Sequence, residues 1–88
     1  MKYRFALYTA GATAAASRRA LLNLSRIMDD VLPEGYEIEV VDILSAPERA
    51  DAAGVFATPT LIREWPPPEM LVIGDMADAA AVLKGVGL

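Results

Sequence analysis

The 88 residues include no cysteine and no histidine. The missing cysteines exclude a disulfide framework and dithiol redox chemistry. Together the two absences remove the usual ligands of zinc, haem and iron–sulfur sites. They also exclude Ser–His and Cys–His nucleophile pairs. No metal, no cofactor and no catalytic residue is therefore expected, and the chain reads as a binding protein rather than an enzyme. No apolar run approaches the ~20 residues that span a bilayer. The N-terminus also lacks the charged, apolar and cleavage segments of a signal peptide. A cytoplasmic protein with no membrane partner is expected. The eight Lys and Arg residues are scattered from Lys2 to Lys84 among twelve Asp and Glu, leaving a net charge of −4. A nucleic-acid reader needs clustered cations to neutralise phosphates, so no nucleic-acid partner is expected.

What is present is a small apolar domain. Its hydrophobic share is 55%, but a chain of this length buries only roughly 60–65% of its unfolded surface. Association with a partner or with a second copy would add stability. The most telling local feature is Thr58-Pro59-Thr60, set between Gly54-Val55-Phe56-Ala57 and Leu61-Ile62. Thr-Pro-Thr after a short helix and before a strand is how thioredoxin-like folds introduce a cis-proline, and a cis X-Pro bond is a deliberate feature of a fold.

The remaining pattern is consistent with that reading. Tyr3–Ala10 alternates as a strand and closes at Gly11. Thr13 or Ser17 then caps a helix. From Arg18 to Leu32, Leu21, Leu24, Met28 and Val31 recur at helical spacing. Pro33 and Gly35 end that helix. Tyr36–Leu44, rich in Val and Ile, reads as a central strand, parallel to the first through a right-handed crossover. Ser45-Ala46-Pro47-Glu48 fits a capping box for a helix from Pro47 to Ala53, stopped by Gly54. A strand follows from Thr60 to Trp65. Pro66-Pro67-Pro68 then predicts a rigid, polyproline-like connector to a short strand over Met70–Ile73. After Gly74, Asp75 is the expected cap of a last helix over Met76–Val86, with Met76, Ala79, Ala80, Leu83 and Val86 on its apolar side. The order βαβαββα is a single α/β domain over residues 1–88, a mixed four-stranded sheet with helices on both faces.

Several stretches together resemble the circadian clock KaiB family. Leu7-Tyr8-Thr9-Ala10-Gly11 is similar to its Leu-Tyr-Val-Ala-Gly. Val41-Asp42-Ile43-Leu44 with Pro47 resembles its Val-Ile-Asp-Val-Leu-x-x-Pro, and Ala57-Thr58-Pro59-Thr60-Leu61 is its Ala-Thr-Pro-Thr-Leu. Pro66-Pro67-Pro68, Ile73-Gly74-Asp75-Met76-Ala77-Asp78, Val82-Leu83 and Gly85 complete the likeness, with no gap from Val41 onward. The resemblance implies a non-enzymatic protein that binds the N-terminal ring of the hexameric ATPase KaiC and modulates its phosphorylation and ATPase cycle. It also implies a metamorphic chain. The alternative ground state is a βαββααβ fold, dimeric or tetrameric, and the rearrangement involves the segment from about Pro47 onward. The resemblance also leaves room for a KaiB-like sensor domain of a histidine-kinase pathway. A cysteine-less thioredoxin-like protein of other function is a further alternative.

The resemblance and the residues together nominate Arg18, Arg19, Gly54, Val55 and Phe56 for partner binding. They nominate Ala57, Thr58, Pro59, Thr60, Pro66, Pro67, Pro68, Gly74, Asp75 and Gly85 for the cis-proline and fold-switch region. Arg19 aligns with the family's Arg-Ala-Leu and would pair with an acidic patch; the alternative for Arg18 and Arg19 is solvated surface. Tyr8 and Phe56 are expected in the core. Trp65 is either an exposed interface anchor or a packed edge residue. Asp42 is expected at a strand end, accepting backbone hydrogen bonds. Gly85 and Gly87 weaken the last helix, and Gly87 is expected to fray. The chain departs from the family in the longer turn from Gly11 through Ala12 to Ser17, in Met70-Leu71 where a basic pair is usual, and in Glu39 where lysine is common. These departures suit a clock-like system without capture of KaiA.

Overall fold

The computed structural model describes residues 2–11 and 13–88; Ala12, part of the turn read above as longer, lies outside the described residues. Among the described residues the order is β1 (Tyr3–Thr9), α1 (Ala15–Val31), β2 (Tyr36–Asp42), α2 (Pro47–Ala53), β3 (Thr60–Trp65), β4 (Met70–Ile73) and α3 (Ala79–Gly85). The strands form one sheet in the order β2-β1-β3-β4. β1 and β2 are parallel, while β3 runs antiparallel to both β1 and β4. The βαβαββα order therefore holds, while the place of one strand is corrected. β2 lies at the sheet edge rather than in its centre. Its apolar run misled because Val40 is 40% exposed and only Val41 is fully buried.

Strand alternation divides the core between the two faces. Phe5 and Leu7 of β1 and Leu61 of β3 meet Ala20, Leu24 and Met28 of α1 and Val82 and Val86 of the C-terminal segment. The opposite residues, Ala6, Tyr8, Val41 and Ile62, meet Ile43, Ala46, Ala53 and Val55 around α2. On α1 the buried residues Ala20, Leu24 and Met28 recur every four positions, as a helix packed on a sheet requires. Full burial of Leu24 alone is worth about 1.5–3 kcal/mol. Val31, expected on this face, is exposed.

The helix starts differ from the sequence expectation, for local reasons. Neither Thr13 nor Ser17 caps α1; its N-cap is Ala14, and the Ser17 hydroxyl donates to the Gly11 carbonyl at 2.8 Å from within the helix. The proposed box at Ser45 is also absent. α2 begins with Pro47 after an Ala46 cap that makes no side-chain bond. The last helix starts later, because Met76 adopts φ 64, a left-handed conformation that no helix accommodates. Asp75 instead accepts the Ala77 N–H, and Asp78 caps α3 by accepting from Ala81. This delay turns Ala79 and Ala80 to solvent and buries Val82, leaving Met76 and Val86 packed as expected. Pro66-Pro67-Pro68 is not polyproline-like: the bonds before Pro66 and Pro68 are cis.

Candidate partner-docking site

One end of the sheet collects the β1–α1 turn, the β2–α2 turn, the α2–β3 loop and the end of β4. Asp42 organises the first two. Its Oδ1 accepts the N–H of Gly11 at 3.0 Å and of Leu44 at 2.9 Å, and its backbone carbonyl accepts from Ser45 and Ala46. A carboxylate in an apolar run is thus satisfied at a strand end, as its sequence context demands. Gly11 takes φ 93 to make this turn.

The α2–β3 loop comes next. Gly54 ends α2 in the left-handed conformation at φ 72, and the Val55 N–H bonds the Ala50 carbonyl. This turns Val55 toward the sheet and sends the next side chain outward. Phe56 is 92% exposed. Its expected place in the core is therefore wrong, whereas Tyr8 is buried at 3%. The Thr58–Pro59 bond is cis. The Thr60 hydroxyl closes the loop on the Ala57 carbonyl at 2.6 Å, and the Pro59 carbonyl accepts the Gly74 N–H at 2.9 Å. Pro59 and Gly74, fifteen positions apart in the sequence, are brought together. The Asp75 carbonyl accepts from Asn23 of α1 at 3.1 Å.

Leu44, three residues before α2, is 72% exposed, and Phe56, three residues after it, is 92% exposed. On β4, Leu71 and Ile73 are 53% and 54% exposed, while their alternate neighbour Val72 packs into the α1/α3 core. Leu71 and Ile73 therefore open on the same sheet face as α2. Leu44 and Phe56 thus bracket α2, while Leu71 and Ile73 lie on the sheet face that α2 covers, and exposed apolar side chains gathered around one element are candidates for a docking surface. Arg18 and Arg19 are exposed on the first turns of α1.

The nominated residues do not form one site. Ala57–Thr60, Gly74 and Asp75 lie at the end just described. Pro66, Pro67 and Pro68 leave β3 at its other end. Gly85 serves a third purpose: a Cβ there would lie 2.2 Å from Val72 Cγ2, so α3 approaches β4 through bare backbone. Gly87, expected to fray, sits in an exposed turn against the Arg63 guanidinium at φ 75. Trp65 is half-buried and, with Lys2, Arg4 and Glu37, lines an open depression of about 300 Å³.

Two features escaped the sequence reading. Glu39 on β2 and Arg49 on α2 form a bidentate ion pair, one bond of 2.7 Å, which holds the edge strand to the helix above it. The hydrogen bond from Arg49 lowers the Glu39 carboxyl below the ordinary range, and the carboxylate in turn raises the guanidinium. Burial pushes the neighbouring Tyr8 phenol up. The second feature is Arg63, buried in the strand face that otherwise carries Leu61. Its alternation with Leu61 was the available signal.

Among the described residues no helix is long and apolar enough to cross a membrane, and no cluster of acidic side chains could hold a metal ion. A cis-proline loop at the end of a mixed β2-β1-β3-β4 sheet, in a chain without cysteine, defines a thioredoxin-like protein lacking the dithiol. The backbone is similar to the N-terminal domain of SasA from Synechococcus elongatus, with a TM-score of 0.79 at 17% identity over 96% of this chain and 80% of that one. It is also similar to mitochondrial thioredoxin 3 of Saccharomyces cerevisiae, with a TM-score of 0.71 at 18% identity over 98% of this chain and 77% of that one. At such identities these likenesses establish the fold alone. Residues 6–88 match the KaiB domain, and the chain belongs to the KaiB family of circadian clock proteins. It is 38% identical over 82 residues to circadian clock protein KaiB3 of Synechocystis sp., spanning 93% of this chain and 79% of that protein. It is 41% identical over 86 residues to the circadian clock oscillator protein KaiB of Rippkaea orientalis, spanning 98% and 82%.

Proposed function

We propose that this clock-family protein acts by docking on the N-terminal ring of a KaiC-like hexameric ATPase, modulating its phosphorylation and ATPase cycle with no chemistry of its own. The carrying observation is the pair of exposed side chains that bracket α2, Leu44 and Phe56. A phenyl ring held in water by a loop tied at both ends is unfavourable unless a partner covers it. Large aromatic side chains are the residues that anchor interfaces. Arg18 and Arg19, exposed on the first turns of α1 across the sheet from α2, would speed association with an acidic ring surface and make it salt-sensitive. Titrating the labelled chain with KaiC-like rings tests the proposal by fluorescence anisotropy. Saturable binding is expected, and its absence with correctly assembled rings contradicts the docking role.

Rearrangement of the second half to a βαββααβ ground state, as a dimer or tetramer, belongs to the same proposal, since two packings of one chain differ by only a few kcal/mol in such proteins. Backbone chemical shifts of the isolated chain test it. A second set of shifts, with a strand near the C-terminus and helix within residues 60–73, is expected in exchange with the thioredoxin-like set. A single thioredoxin-like set under all conditions contradicts the rearrangement. Capture of KaiA is not assigned. Glu39 on the edge strand is engaged by Arg49, and Met70-Leu71 supply no positive charge. Retention of KaiA in a pull-down with KaiC rings would overturn that exclusion. The second reading, which rests on the family resemblance, is a KaiB-like sensor-type interaction domain in a histidine-kinase pathway. Cytoplasmic location is part of either reading.

A further inference from the structure

Arg63 is 7% exposed on the strand face that also buries Leu61. Arginine is almost never fully buried unless its donors are satisfied. Here Nη1 donates to the Val86 carbonyl at 2.8 Å, and Nη2 to the Pro68 carbonyl at 3.0 Å. Nε is buried and finds no acceptor among the described residues. One guanidinium thus joins three segments: β3, the end of the proline connector and the residue that closes α3.

The C-terminal segment is shaped around this contact. Gly87 adopts φ 75, and a Cβ on it would lie 2.9 Å from Arg63 Nη1 and 3.0 Å from Met70 Sδ. Gly85 permits a still closer approach, since a Cβ there would lie 2.2 Å from Val72 Cγ2. Apart from Val82 and Val86, α3 and its C-terminal turn bury little: Ala79, Ala80 and Ala81 face solvent. A helix of seven residues has no stability of its own in water. What keeps it on the sheet is docking, and the polar part of that docking runs through Arg63.

We infer that Arg63 is a latch. It makes residues 79–88 and the 66–68 connector one cooperative unit on the sheet, and its release detaches that unit while β1, α1 and β2 stay folded. Local opening of this kind proceeds in contiguous units with free energies below that of global unfolding. The latch sets how often the C-terminal unit leaves the sheet. This bears on the proposed rearrangement but does not rest on ring binding, because it concerns the isolated chain.

Native-state hydrogen exchange on the full chain tests the latch. In the wild type under mild urea, the amides of Val82–Val86 should exchange through an opening with weaker urea dependence than those of Phe5–Tyr8. In Arg63→Lys, a single ammonium cannot span two carbonyls as a planar fork does. Protection of Val82–Val86 should fall at least tenfold, while Phe5–Tyr8 and Leu24–Met28 change less than twofold. Arg63→Met keeps apolar volume without the bonds and should give the same selective loss. Gly87→Ala, which leaves Arg63 in place but crowds it, should do so too. Equal loss at every amide would make Arg63 a support of the whole core and overturn the latch. Retained protection in Arg63→Met would overturn it in favour of simple space-filling. Should the Arg63 variants not fold, the wild-type urea dependence and Gly87→Ala still decide, and equal urea dependence at all sites refutes the latch.

Discussion

Asp42 ties two turns with one oxygen. Replacing it with alanine orphans the part-buried Gly11 N–H and leaves the exposed Leu44 N–H to water, and should lower stability by about 1 kcal/mol, read as an earlier midpoint in urea. Both bonds fall on Oδ1, so Asp42→Asn should recover most of the loss. A variant as weak as Asp42→Ala would mean that the charge, not the acceptor, matters. Gly85→Ala pushes a methyl group into Val72 and should cost about 1–3 kcal/mol by overpacking; Val72→Ala in the same chain should relieve part of it. Asp42 was legible in the sequence because a carboxylate in an apolar run has few tolerable places. Phe56 was not, because Gly54-Val55-Phe56-Ala57 gives no periodicity to say which side chain turns inward. The decision is made by Val55, whose N–H bonds back to α2. Arg63 was half legible: alternation with Leu61 puts it on the buried face, but its acceptors are carbonyls five and twenty-three residues away, and no side-chain pattern announces a backbone acceptor.

At the scale of elements, the order of strands and helices was readable, while their ends and neighbours were less so. Parallel β1 and β2 followed from handedness, and Pro47, Gly54, Pro59 and Gly74 marked real boundaries. The edge position of β2 did not follow, because its Val and Ile content reports β-propensity, whereas burial is decided by which strand lies beside it. Nor did the late start of α3, since Asp75 and Asp78 are both plausible caps and only the Met76 backbone chooses between them. The Glu39–Arg49 pair joins β2 to α2, and its effect on stability has a definite sign. The folded carboxyl has a lowered pKa. Its contribution is complete above the ordinary carboxylate value and fades as pH falls through the lower folded value. The pair is well exposed, so the effect should be small. In urea midpoints measured across that acid range, the wild type should exceed Glu39→Gln at neutral pH and converge with it in acid. Parallel profiles would show that the pair contributes nothing.

The whole molecule combines an acidic charge balance, two apolar layers on one sheet, and exposed apolar side chains, Leu44 and Phe56 flanking α2 and Leu71 and Ile73 on β4. Covering the side chains that bracket α2, Leu44 and Phe56, is the work proposed for the protein. The most direct test compares the affinity of the wild-type chain and Phe56→Ala for KaiC-like rings. Leu22→Ala serves as control, since Leu22 is 53% exposed on α1. If Phe56 anchors the interface, its truncation should weaken binding tenfold or more, in the range of a hot-spot residue, and Leu22→Ala should bind as the wild type does. Equal affinity of Phe56→Ala and wild type would contradict docking through the side chains that bracket α2.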